Sequence, residues 1–211
     1  MWSSEVTNMI ITGIWETLYM TLVSTLVGYV IGLPMGIILT VSDKDGIKPN
    51  AVLYKILDVI ANIVRSVPFI ILLVLLIPFT RLVVGKSYGS TATIVPLVIA
   101  AAPYIARMVE SSLKEVDAGV IEAARSMGAS NFTIITKVML VEARTSLLVG
   151  ATITLGTILG YSAMSGAVGG GGLGAIAIRY GYTRWQTDIM IVTVISVSYT
   201  HLRAHETRRH L

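Results

Sequence analysis

The chain has 211 residues, 54% of them hydrophobic and 13% charged, with a formal net charge of +4 and a mean hydropathy of +0.77. A water-soluble domain carries about a quarter of its residues as charges, so a soluble globular protein is excluded and an integral membrane protein is expected. There is no cysteine, which removes disulfides, thiolate metal sites and cysteine nucleophiles, and the basic residues are scattered through loops and the terminus rather than gathered on one face, which argues against nucleic-acid binding.

The apolar runs are continuous rather than alternating, so the spans are read as helices; in lipid only helices and closed barrels satisfy their own backbone. Residues 1–9 hold Glu5 and no Lys or Arg, and the first apolar run is too long for a signal-peptide core, so it is expected to stay as a span. Residues 17–42 carry no charge, enough for one crossing at about 20 residues. Trp15 and Tyr19 suit a lipid–water boundary. Gly28, Gly32 and Gly36 are four apart, which places three positions without side chains on one face, a packing surface rather than a ligand site. Pro34 is expected to kink this helix.

Residues 43–49 form a turn by composition, and residues 51–64 are amphipathic. Arg65-Ser66-Val67-Pro68 then precedes a purely apolar run, giving a second span whose oily part is residues 67–79. Arg65 reads as an anchor at the membrane boundary or as a residue facing substrate. A third uncharged span covers residues 87–106, with Pro96 and Pro103 tolerated inside it.

Residues 118–141 are a polar, helix-prone island. Val116, Val120, Ala123, Ala124 and Met127 form the stripe of a short amphipathic helix that Gly128 stops. A second periodic piece follows with Phe132, Ile135 and Val138, capped by Ser130 or Asn131. Faces this short bury too little to stand alone in water, which implies a partner protein; a solvated connector between two membrane helices is the other reading.

The fourth span covers residues 145–165, with Gly156 and Gly160 expected to form another close-packing pair. Residues 166–174 end it with four consecutive glycines, but without the Gly-Lys-Ser/Thr ending of a nucleotide loop. Residues 179–188, with Tyr182 and Trp185, read as a polar interfacial loop. A fifth span starts at Ile189, although the uncharged stretch before His201 is short for a core of about 30 Å. From Ser198 the composition changes abruptly and all three histidines follow; residues 198–211 are read as an atypical, non-native tail to a membrane domain at 10–197. His201 and His205 have a spacing that metal pairs use, but they fall in that tail.

Lys and Arg counted by loop on alternate sides of five spans give four on one side (Arg81, Lys86, Arg179, Arg184) and eight on the other (Lys44, Lys48, Lys55, Arg107, Lys114, Arg125, Lys137, Arg144). The positive-inside rule puts the N-terminus outside and the Glu122 loop in the cytoplasm.

Glu122-Ala123-Ala124, three residues, Gly128, nine residues and Val138-Met139-Leu140 resemble the "EAA" loop of the permease subunits of ABC importers. Gly13-Ile14-Trp15-Glu16-Thr17, the run from Arg65 to Leu73, the run from Ala101 to Glu110 and Gly160-Tyr161-Ser162-Ala163-Met164 extend the likeness to the methionine-importer permeases within that family. The pattern departs at Asp117 and Val141, where prolines are usual, and fails from about Ser198. The resemblance implies an all-α inner-membrane protein of five transmembrane helices, with a cytoplasmic coupling-helix loop between spans three and four. The coupling residues it implies are Gly119, Glu122, Ala123, Ala124, Arg125, Gly128 and Ala129; a gate would comprise Met164 with Tyr161, Ser162 and Ser165. It implies a homodimer in the bacterial cytoplasmic membrane, an ATP-binding-cassette ATPase dimer that holds the ATP and Mg, and an extracytoplasmic binding lipoprotein. The chain itself would be no enzyme and would bind no cofactor. Read without the resemblance, Met164 is an ordinary packing or lipid-facing methionine. An importer for another polar amino acid and a self-sufficient secondary transporter are the competing readings; the latter needs intramembrane ionisable residues, of which the spans show little beyond Glu16 and Arg65.

Overall fold

The computed structural model describes the backbone of residues 4–206 and the side chains of residues 4–200; His201 and His205 lie outside the described side chains. The described residues form helices joined by turns, with no strand among them. The helices are α1 (Ser4–Ser42), α2 (Ala51–Ser66), α3 (Phe69–Leu75), α4 (Ile77–Val84), α5 (Ser90–Lys114), α6 (Ala118–Ser126), α7 (Asn131–Thr133), α8 (Leu140–Glu142), α9 (Arg144–Ser165), α10 (Gly172–Ile176) and α11 (Thr187–Glu206). Among the described residues, three stretches are long and apolar enough to cross a membrane: α1, α5 and the run from Arg144 to Tyr182. The pair α2 and α3, bent by 102°, makes a fourth if it counts as one broken span. The fifth expected span is represented by the shorter apolar helix Thr187–Thr200, and α11 continues without interruption past Ser198.

α1 is continuous through Pro34, and α5 runs unbroken through Pro96 and Pro103. α5 is the central element and packs on α1, α2, α4 and α9. Its contact with α1 follows from the glycine face. A Cβ on Gly32 would lie 2.6 Å from the Ala102 carbonyl oxygen, and one on Gly36 would lie 2.6 Å from that of Ala106. Those oxygens and the branched Cβ atoms of Ile105 and Val109, at 2.7 Å, fill the space, and none of them can swing aside, so any residue larger than glycine drives the helices apart. Met20, Leu97, Ile105, Val109, Leu113 and Ile158 seal the core around this seam. Three hydroxyls of α1 return to their own helix: Thr17, Thr25 and Thr40 donate to the carbonyls of Gly13, Thr21 and Gly36, which is how a polar side chain is tolerated where water is absent. The buried hydroxyls of Thr21 and Ser24 make no hydrogen bond among the described residues.

Several expectations are corrected. Within one copy a Cβ on Gly160 meets nothing within 4 Å, so no helix of the same chain closes on the end of α9 there. The third span starts at Ser90 and runs on through Arg107, Glu110 and Lys114, because those charges are paired within the bundle rather than solvated in a loop. Residues 179–182, expected as loop, belong to a π-helical turn, Ala177–Tyr182. α2 is amphipathic in the inverted sense of a membrane helix: Val52, Ile56, Val59, Ile60 and Ile63 are exposed, whereas Tyr54, Asp58 and Asn62 turn towards α5.

Candidate functional site

The island at 118–141 is a pair of short helices folded around one glycine. α6 begins because Asp117 caps it, its carboxylate accepting the Gly119 N–H at 2.7 Å; a Cβ on Gly119 would come within 2.9 Å of that oxygen. Asp117 thus starts the helix at a position where the resembled family uses proline. α6 ends in a Schellman turn: Ala129 N–H reaches the Ala124 carbonyl at 3.1 Å and Gly128 N–H reaches that of Arg125 at 3.0 Å, with Gly128 at φ +82°. That left-handed conformation costs a residue with a Cβ about 1–2 kcal/mol. Ser130, rather than Asn131, caps the next turn by accepting the Thr133 N–H.

The two stripes read from the sequence do not both face the bundle. In α6 the buried contact is Ala124, helped by Ile121, whereas Val120 and Met127 are exposed, Met127 at 82%; Ala123 is exposed as well. After α7 the chain widens into a π-helical turn, Ile134–Met139, closed by the Leu140 N–H on the Ile135 carbonyl. A five-residue repeat replaces the α-helical one, so Ile134 and Met139 are buried and Phe132 is left 75% exposed. The result is an uncovered apolar surface of Val120, Ala123, Met127 and Phe132 on a segment bolted to the bundle from behind. Val141 lies in α8, and the turn into α9 falls at Ala143.

Just before this segment, the charged side chains at the end of α5 form a polar cluster. Glu110, with a side chain only 7% exposed, accepts from Arg107 at 2.7 Å and from Lys114 at 2.9 Å, and from the Tyr54 hydroxyl at 3.3 Å. Arg107 also pairs with Asp58 and donates to Asn62, and Lys114 reaches Asp43 at 2.7 Å. One buried carboxylate therefore ties α5 to α2, and through Lys114 to the loop after α1. Beside the cluster, a cleft of about 580 Å3 opens between the 43–47 loop and α6, lined by Asp43, Lys114, Ile121, Glu122 and Arg125. Arg125 crosses its rim to the Ile47 carbonyl at 3.3 Å, and Ser146 on α9 donates to Ser112 on α5. Glu122 is exposed. Within α5, Glu110 follows Arg107 by three positions and precedes Lys114 by four, a local helical pairing; the partners on α2 are 45 or more positions away, and no local pattern signals those.

Tyr161 stacks flat on Phe69, ring centroids 4.5 Å apart and planes 5° from parallel, fastening the end of α9 to the start of α3. Met164, one turn on, is 52% exposed. Ser162 and Ser165 are buried, their hydroxyls donating to the carbonyls of Leu159 and Ser162. The glycine run beyond is a cap: Gly172 N–H donates to the Glu16 carboxylate at 2.6 Å and Leu173 N–H to Thr17 Oγ1 at 2.9 Å. The amides that a phosphate would need are held by α1. Among the described residues no group of His, Asp or Glu gathers in a way that could hold a metal ion.

Residues 32–202 match the family described as "Binding-protein-dependent transport system inner membrane component". The chain is 49% identical over 194 residues to the "Probable D-methionine transport system permease protein MetI" of Vibrio cholerae serotype O1, covering 92% of this chain and 86% of that one. It is 53% identical over 158 residues to the "D-methionine transport system permease protein MetI" of Escherichia coli K12, covering 75% of this chain and 73% of that one. Its fold superposes with a TM-score of 0.97, at 48% identity, on a chain of "Inward facing conformations of the MetNI methionine ABC transporter", covering 99% of this chain and 97% of the other.

Proposed function

The chain belongs to the family of binding-protein-dependent transport system inner membrane components, and we propose that it is the membrane-spanning permease subunit of an ATP-driven importer of methionine, D, L or both. The observation that carries the mechanism is the uncovered apolar face of Val120, Ala123, Met127 and Phe132 on a segment held from behind by Ala124, Ile134 and Met139, which are buried in the core. Such a face fits a separate ATPase, and the Gly128 turn fixes the angle at which it is offered. Gly119, Glu122, Ala123, Ala124, Arg125, Gly128 and Ala129 form the coupling surface. The likeness to a methionine transporter over nearly the whole chain supports the substrate and the ATPase partner.

In this reading residues 10–197 are the transport domain, with five spans, counting α2–α3 as one and α11 as the last. The N-terminus is outside and the Glu122 loop is cytoplasmic, as the distribution of Lys and Arg favours. Two copies enclose the pathway, with Met164 and Tyr161 at its gate and Ser162 and Ser165 supporting that turn; a lipid-anchored binding protein delivers substrate. ATP and Mg are held by the partner ATPase, whose closure draws the two coupling segments together and shifts the bundle between two rigid states. The test is uptake of radiolabelled methionine into proteoliposomes containing this chain, its ATPase and its binding protein. ATP-dependent accumulation, displaced by unlabelled methionine and not by other polar amino acids, is expected. Accumulation driven by a proton gradient with no ATPase present would overturn the reading.

A further inference from the structure

We propose that Arg65 binds the α-carboxylate of the amino-acid substrate within the translocation pathway. This rests on the importer reading and adds a contact site inside the membrane. The argument begins with depth. α2 and α5 run antiparallel side by side: Tyr54 meets Glu110, Asp58 meets Arg107, and Asn62 reaches the same arginine at 3.0 Å. Passing along α2 thus moves from the charged end of the bundle towards its apolar middle, and Arg65 lies about one further turn, roughly 5 Å, beyond the last of these pairs. At that level α5 offers the stretch Ala101-Ala102-Pro103-Tyr104-Ile105, with no acid.

The second observation is that this guanidinium is exposed and makes no hydrogen bond or ion pair among the described residues. The other charges carried by α1, α2 and α5 towards the interior are compensated: Glu16 caps Gly172, and Asp58, Arg107 and Glu110 satisfy one another. A cation left bare at membrane depth faces water or an anion, because lipid penalises it by several kcal/mol.

The third observation ties the residue to the moving part of the fold. Arg65 lies in the last turn of α2 just before the 102° bend, and Phe69, the first residue after that bend, stacks on Tyr161, one turn before exposed Met164. A guanidinium presents paired N–H donors in a plane that matches a carboxylate.

The test uses the assembled transporter with its ATPase and binding protein. Arg65→Gln is expected to cut ATP-driven methionine uptake roughly tenfold or more, the weight of a charge-assisted hydrogen-bond pair. Arg65→Lys should retain a substantial part of it, and both variants should copurify with the ATPase and hydrolyse ATP at the parent's basal rate. In detergent, without the binding protein, methionine bound to the parent complex should be displaced by unlabelled methionine and not by methioninol, which lacks the carboxylate; Arg65→Gln should bind it weakly. Parental uptake by Arg65→Gln, displacement by methioninol, or loss of ATPase copurification in both variants would overturn the assignment, the last marking a structural anchor. Uptake that follows the anionic-lipid content of the vesicles instead of residue 65 would make the bound anion a lipid phosphate and also overturn it. A parent complex with no ATP-driven uptake would count against the importer reading itself, which distinguishes the two failures.

Discussion

Lys114 lies 2.7 Å from Asp43, a contact that closes the last turn of α5 onto the loop leaving α1. The hydrogen bond from Lys114 holds the Asp43 carboxyl below its ordinary value against the upward push of burial, with the Lys44 N–H and both nearby ammonium groups adding to the lowering. A depressed folded value means that the contribution to stability is whole above the unfolded value, near about 4, and is lost as pH falls through the folded one. Asp43→Asn should therefore melt below the parent at neutral pH, and the gap should close in acid below about 4. Thermal melts of the purified protein across that range check it; a gap that stays constant with pH would contradict it.

Glu110 is the buried member of the same cluster and holds two cations. Its loss leaves Arg107 and Lys114 facing each other without the carboxylate between them. Glu110→Ala should cost roughly 2–4 kcal/mol, less than a fully enclosed pair because Lys114 is partly open to solvent. Glu110→Gln, which keeps the shape and a hydrogen-bonding oxygen, should cost less. Denaturant titration in mild detergent ranks the two.

Gly128 stands at φ +82° with open space where a Cβ would go, so its requirement is conformational. Gly128→Ala should cost about 1–2 kcal/mol at the helix end, and Gly128→Asn less than Gly128→Val. Membrane insertion should be unchanged while binding of the ATPase weakens, measured by copurification at matched expression. Faster amide exchange in α6 should accompany it.

Gly32 and Gly36 differ from Gly128 because backbone carbonyls fill the space around them. Gly32→Leu or Gly36→Leu should separate α1 from α5 and destabilise the chain by at least about 1–3 kcal/mol. Gly160→Ala should leave the fold of one copy unchanged. Thermal stability by size-exclusion chromatography separates these cases.

How much of this was legible depended on whether the cause is local. The stop at Gly128, the cap at Ser130 and the glycine face of α1 follow from residues within a turn or two of one another, and each is present in the structure. Of the stripe expected in the second loop helix, Ile135 and Val138 pack against the core and Phe132 does not; the π-helical turn adds Ile134 and Met139 as the most buried pair, which periodicity analysis with a single pitch does not anticipate. The pairs of Glu110 with Arg107 and Lys114 are local to α5, but the links of this cluster to α2 and to the loop after α1 join separate elements and were not legible. The role of the glycine run was hidden in the same way, since Glu16 and Thr17 cap residues 156 positions distant. Exposure of Met127 and Phe132 was not legible from hydrophobicity, which reads an apolar docking face as core.

The most direct test uses the absence of native cysteine. Met127→Cys places one thiol on the exposed face of α6, and a bifunctional maleimide is applied to membranes that coproduce the ATP-binding-cassette subunit. A crosslink between the two proteins, shortened or lost when ATP is withheld and absent for a cysteine placed at lipid-facing Val30, is the predicted result. Labelling of that thiol by a membrane-impermeant reagent added outside intact cells, with no crosslink to the ATPase, would contradict the account.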